Sequence, residues 1–148
     1  MLKGIPAALT PDLLWALSAM GHGDTLAVVD ANYPAYALHS RVLPLAGVDI
    51  TDAVAAIGAV VPVDTAVEPA VFAMAPDGEP GAAIESHAAV AAVLSGTEGR
   101  AVTIGPVERS DFYELAKKAF AVVLTGETRS YACFVITKGV VQTPAVPR

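Results

Sequence analysis

The chain has 148 residues, nine Lys plus Arg against fifteen Asp plus Glu, and a formal net charge of −6. Hydrophobic residues make up 54% and charged residues 16%, which excludes a largely disordered chain and supplies enough apolar surface for one compact core. The acidic balance lacks the clustered cations that tracking a phosphate backbone requires, so nucleic acid is not an expected partner. The apolar excess is mostly Ala and Val, with only 6% aromatics, and suits helices packed closely on β-branched strands or partly buried between subunits.

Met1-Leu2-Lys3-Gly4-Ile5-Pro6 has no apolar stretch of signal-peptide length, and no later run reaches the roughly eighteen residues of a membrane span. The expectation is a cytoplasmic protein that does not engage a membrane. A lone cysteine, Cys133, rules out an intrachain disulfide and fits a reducing compartment.

In chain order, Thr10-Pro11-Asp12 is a helix start, with Thr10 as N-cap and Pro11 in the first turn. Leu13, Leu17 and Met20 then give helical spacing, and Gly21 stands past the end, which predicts a helix over 11–20. Thr25–Val29 is a short apolar run closed by Asp30 and reads as a strand covered on both faces. A helical pattern follows over Thr51–Val61, then an extended run Val67–Met74 in which Pro69 weakens the strand or places it at an edge. Residues 75–81 are a loop by their turn chemistry, and Ala82–Leu94 reads as a helix closed by Gly96 and Gly99. Ala101–Ile104 reads as a strand, Ser110–Lys118 as a helix capped by Ser110, and Ala121–Thr125 and Ala132–Thr137 as the last two strands. A turn at Thr125-Gly126-Glu127 would make those two antiparallel, and the Pro-containing tail Gln142–Arg148 is expected to fray. Strands alternating with helices, with no linker or repeat, imply an α/β domain over 1–141 with a mostly parallel or mixed sheet between helices.

Chemistry concentrates at few positions. His22 sits between two glycines at a helix exit, where it is either an accessible imidazole or a cap on the helix carbonyls. Asp30 follows an apolar strand, at the strand end where ligands of α/β sheets bind, and is either a hydroxyl acceptor or an Asx turn. A straight strand between the two covers about 17 Å at roughly 3.3 Å per residue. Either the His22 loop folds back over the sheet or a second subunit completes the site. Arg109 precedes a helix N-terminus, where it can meet substrate oxygens or pair with Glu108 or Asp111. Tyr131 opens the last strand, offering a ring face and a hydroxyl to a sugar or packing at an edge. His39 and His87 lack evident convergent partners. The histidines are scattered and there is no Cys pair, Walker pattern or dinucleotide fingerprint, so no metal or phosphate-bearing cofactor is expected.

Taken together, Met20-Gly21-His22-Gly23-Asp24, Asp30-Ala31-Asn32-Tyr33-Pro34-Ala35, Arg109-Ser110-Asp111-Phe112-Tyr113-Glu114, Thr125-Gly126-Glu127, Tyr131 and Lys138-Gly139-Val140 resemble the RbsD/FucU family of monosaccharide mutarotases, on the L-fucose branch. The resemblance implies a three-layer α/β/α fold, ring-like homo-oligomers and pockets where neighbouring subunits meet. It implies His22 as proton donor, Asp30, Arg109 and Tyr131-Ala132-Cys133 as sugar-binding positions, and no cofactor. Two departures stand out: Asn32 where that branch more typically has His, and Cys133 where it has Asn. The activity implied is interconversion of aldose anomers by acid/base ring opening and reclosure. A ribose-type pyranose–furanose interconversion and non-catalytic sugar binding are the alternatives.

Overall fold

A computed structural model describes residues 1–143. Among them α1 spans Pro11–Ala19, β1 Thr25–Val29, α2 Ala35–Leu38, β2 Val42–Leu45, α3 Ile50–Gly58 and β3 Val71–Ala75. α4 then spans Glu85–Glu98, β4 Ile104–Glu108, α5 Arg109–Lys117, β5 Ala121–Thr125 and β6 Phe134–Thr137. The strands form one sheet in the order β2-β5-β1-β6-β3-β4. β6 runs antiparallel to both neighbours, while the other pairings are parallel, so the sheet is mixed.

Alternation along each strand feeds two cores. Leu26, Val28, Val71, Val123, Phe134 and Ile136 face α1, α3 and α4, whereas Ala27, Val29, Met74, Val122, Cys133 and Val135 face α5 and the Tyr33–Ala35 segment. That is the expected α/β/α layering, and it arises because a strand with helices over both faces must be apolar at every position. β1 shows this directly: Leu26 to Val29 are all buried.

β1 and β5 fall where the sequence placed them, and Thr10 accepts from the Leu13 N–H to cap α1. Other expectations need correction. β3 begins after Pro69 and lies inside the sheet, not at an edge. α4 starts at Glu85 and runs through Gly96, with Gly99 closing it at φ 67°. β4 shares only Ile104 with the expected Ala101–Ile104 run and continues to Glu108. α5 begins at Arg109 with Glu108 as N-cap, and no side chain caps it, so Ser110 is a helical residue. The last two strands do not pair, because β6 inserts between β1 and β3. α2 and β2 had not been anticipated. Residues 144–148 of the expected frayed tail lie outside the described residues.

No helix among the described residues is long and apolar enough to cross a membrane.

Candidate active site

Parallel strands deliver their carboxyl ends to one edge of the sheet, and a groove of about 300 Å³ opens there. Asp30 and Tyr33 reach it from the end of β1, Met74 from β3, Arg109 and Tyr113 from the first turns of α5, and Ser130, Tyr131 and Cys133 from the segment entering β6. Four of the five positions expected to hold a sugar therefore line one cavity: Asp30, Arg109, Tyr131 and Cys133. Ala132 does not line it, because its methyl is buried in the opposite core.

Asp30 is buried and has its carboxylate fixed on both oxygens. Oδ1 accepts the Asn32 N–H at 2.9 Å, which makes the Asx turn, and Oδ2 accepts the Cys133 thiol at 3.3 Å. Burial pushes the Asp30 carboxyl above its ordinary value, with the Glu127 charge adding to it and the Cys133 and Asn32 hydrogen bonds opposing it. The Cys133 thiol is pushed well up by burial and by the Asp30 charge, so it is a neutral donor and not a nucleophile.

Arg109 pairs with Asp77 at 3.1 Å, not with Glu108 or Asp111. Both side chains are more than half exposed, so the pair is weak and the guanidinium is available to incoming oxygens. Tyr113, one helical turn beyond Arg109, shares its face of α5 and lies 5.5 Å from the Tyr33 ring. Two neighbouring aromatic rings thus line the groove together with Arg109 and Asp30.

Tyr131 has φ 62°, in the left-handed region. The segment before it is anchored by Glu127, which is buried and accepts Arg129 through both carboxylate oxygens at 3.0 Å and the Ile50 N–H at 3.3 Å. The Arg129 hydrogen bonds hold the Glu127 carboxyl down at about 2, against the effect of its burial.

His22 lies at the opposite end of β1. Its loop does not fold back over the sheet: the Gly23 N–H donates to the Lys138 carbonyl beside the far end of β6. Nor does the ring cap α1, because Lys138 Nζ takes the carbonyls of Leu17 and Met20 instead. The ring is 51% exposed, and its Nε2 donates to Oδ1 of buried Asp64 at 3.0 Å. The Ala66 N–H and His22 hold the Asp64 carboxyl below its ordinary value.

Asp64, 42 residues from His22, carries no local sequence signal. Tyr33 and Tyr113 lie within the family-like segments 30–35 and 109–114, with no signal of their own in the sequence. His39 and His87 do have partners: the Tyr33 hydroxyl at 2.8 Å and the Tyr131 carbonyl at 2.8 Å.

One end of the sheet thus offers a carboxylate, a guanidinium and aromatic faces in a sugar-sized groove, and the other an exposed, carboxylate-oriented imidazole. A model of the RbsD / FucU transport protein family matches residues 3–141. The chain is 39% identical to the L-fucose mutarotase of Histophilus somni over 142 residues, covering 95% of this chain and 97% of that one. It is 39% identical to the human fucose mutarotase over 145 residues, 94% of each. It superposes on the crystal structure of the Streptococcus pneumoniae fucose mutarotase in complex with L-fucose with a TM-score of 0.86 at 37% identity, covering 95% of this chain and all of that one.

Proposed function

The chain belongs to the RbsD/FucU family, and we propose that it is an isomerase, an L-fucose-type mutarotase that interconverts the anomers of a free aldose in the cytoplasm. Residues 1–141 act as one sugar-handling domain. The observation that carries this reading is the convergence of Asp30, Arg109 and Tyr131 on one groove of about 300 Å³, at the small end of the roughly 300–1,000 Å³ typical of ligand sites.

Opening a cyclic hemiacetal requires a proton on the ring oxygen and removal of the proton from the anomeric hydroxyl; reclosure on the other face of the aldehyde inverts the centre. Asp30, with its carboxyl pushed upward by burial, is suited to accept the hydroxyl proton while gripping the sugar. Arg109 and Tyr131 orient the ring, lowering the barrier by positioning. His22 is the general acid. With Nε2 committed to Asp64, Nδ1 is the nitrogen left to carry the transferred proton.

His22 cannot serve the groove of its own chain, since β1 lies between them. It is therefore assigned to the groove of a neighbouring copy in a ring-like homo-oligomer, whose subunit boundaries complete each site. No cofactor takes part, because neither redox change nor group transfer occurs.

Anomer-exchange NMR on a panel of free aldoses tests the proposal. Acceleration strongest for L-fucose, and abolished by His22→Ala with the fold intact, is the expected result. Saturable binding at the spontaneous exchange rate for every sugar would reject it.

A further inference from the structure

Among the described residues Tyr131 is the one non-glycine with positive φ, and it is an aromatic residue, for which that conformation is unfavourable without outside restraint. The restraint upstream is the Glu127–Arg129 anchor, two residues short of the strained position. At Tyr131 itself the side chain packs against the second core, and the main chain is held by a hydrogen bond from His87 Nε2 to its carbonyl oxygen at 2.8 Å.

His87 is built to make that contact. It stands in the first turn of α4, and its ring meets the Phe134 ring edge-on at 5.4 Å and 74°. The ring plane is therefore set by packing before the hydrogen bond is made. A carbonyl oxygen only accepts, so the bonded nitrogen must carry the hydrogen; burial also lowers the His87 pKa, which favours a neutral ring with Nε2–H and a bare Nδ1. His87 does not line the groove, so it touches no bound sugar. The second tie from the same helix, Glu85 to Arg129, is long at 3.6 Å and exposed, and it acts two residues away.

We propose that His87 is a positioning residue that locks Tyr131 in its groove-facing, left-handed conformation by donating Nε2–H to the Tyr131 carbonyl. The inference rests on the sugar-binding role given to Tyr131 above. Without the donor, Tyr131 relaxes toward ordinary backbone conformations and only a fraction of molecules presents a formed groove. Apparent affinity falls by that fraction, while the chemistry in the competent fraction is unchanged.

Two substitutions separate the hydrogen bond from packing. His87→Phe keeps an aromatic ring against Phe134 and removes the donor; His87→Gln sacrifices the ring and keeps an N–H of similar reach. In anomer-exchange NMR, His87→Phe should raise the KM for the sugar about tenfold with kcat within about twofold, and His87→Gln should recover most of the loss. In the Tyr131→Ala background His87→Phe should add nothing further to KM. A His87→Phe protein with unchanged KM, or one whose loss persists in the Tyr131→Ala background, overturns the assignment.

Two readouts do not depend on catalysis. Ring ¹⁵N shifts of the unmodified protein should report the Nε2–H tautomer, and the Tyr131 carbonyl ¹³C shift should move in His87→Phe. An Nδ1–H tautomer rejects the proposal even if His87→Phe does not fold. Should the protein accelerate no sugar's exchange while both spectroscopic results hold, the mutarotase reading fails and the His87–Tyr131 lock stands.

Discussion

The Cys133 thiol and the Asp30 carboxylate form a buried pair at 3.3 Å, the cysteine 1% and the aspartate 5% exposed. Cys133 was expected to meet the sugar. It lines the groove, and its sulfur also donates to Asp30, which gives it a second route to the substrate through the carboxylate. The bond from the thiol favours the charged form of Asp30 and opposes its desolvation.

Removing that donor therefore has a signed consequence. In Cys133→Ala the Asp30 carboxyl rises further above its ordinary 3.8, and a base must be deprotonated to work. The acid limb of kcat/KM against pH should move to higher pH, while Cys133→Ser, which keeps a donor, should leave it close to its original position. An unmoved limb in Cys133→Ala would remove Asp30 from the role of base.

Asp64 orients His22 from a buried position. Asp64→Asn removes the charge facing the imidazole without emptying the site. A hydrogen bond to a charged group contributes roughly 1.5–3 kcal/mol, so kcat should fall by about ten- to a hundredfold with KM nearly constant. Steady-state anomer exchange at saturating sugar measures it, and a change confined to KM would place His22 in binding and not in proton transfer.

Gly139 is needed for Asp64 to stand where it does. A Cβ at Gly139 would lie 2.7 Å from the Asp64 Cα and 2.9 Å from the Val63 oxygen, both backbone atoms that cannot swing aside. Gly139→Ala should cost about 1–3 kcal/mol as overpacking, seen as a lower Tm, and should reduce kcat by displacing Asp64. Val140, exposed and next in sequence, is the control: Val140→Ala should leave both nearly unchanged.

Glu127 makes the fold acid-sensitive. Its carboxyl titrates at about 2 in the folded chain against an ordinary 4.5. The lowered folded value stabilises the native state above about pH 4.5, and that stabilisation is lost as pH falls from there toward 2. At about 1.4 kcal/mol per unit the contribution is on the order of 3 kcal/mol. Denaturant melts between pH 6 and pH 3 should show about 2 kcal/mol of this loss in the unmodified protein and a flatter profile in Glu127→Gln, which should be less stable than the unmodified protein at pH 6.

How legible the molecule was from its residues follows the physics of each segment. β1 and β5 are central, covered on both faces, and announce themselves as unbroken apolar runs. Both edge strands, β2 and β4, were missed or misplaced, and each carries a proline, Pro44 and Pro106. An edge strand has one partner only, so a missing N–H is tolerated there, and the residue that reads as a strand breaker is compatible with the position. The pairing of β6 was misjudged because a hairpin is a local inference, whereas insertion between β1 and β3 is decided by long-range packing. In the candidate site, strand ends and helix starts marked Asp30 and Arg109 as candidates beside local alternatives, and it is the family resemblance that singles out these two and Tyr131 for sugar binding. Asp64 and His87 were not legible, since each acts on a residue more than forty positions away.

Mixing two defective proteins tests whether each site is shared between chains. His22→Ala keeps an intact groove, and Asp30→Asn keeps an intact imidazole; each alone should exchange anomers at the spontaneous rate. Coexpressed in equal amounts and assembled at random, they should recover about a quarter of the unmodified activity, because about one boundary in four then joins an intact imidazole to an intact groove. A coassembled mixture that stays at the spontaneous rate would contradict a site built from His22 of one copy and Asp30 of the next.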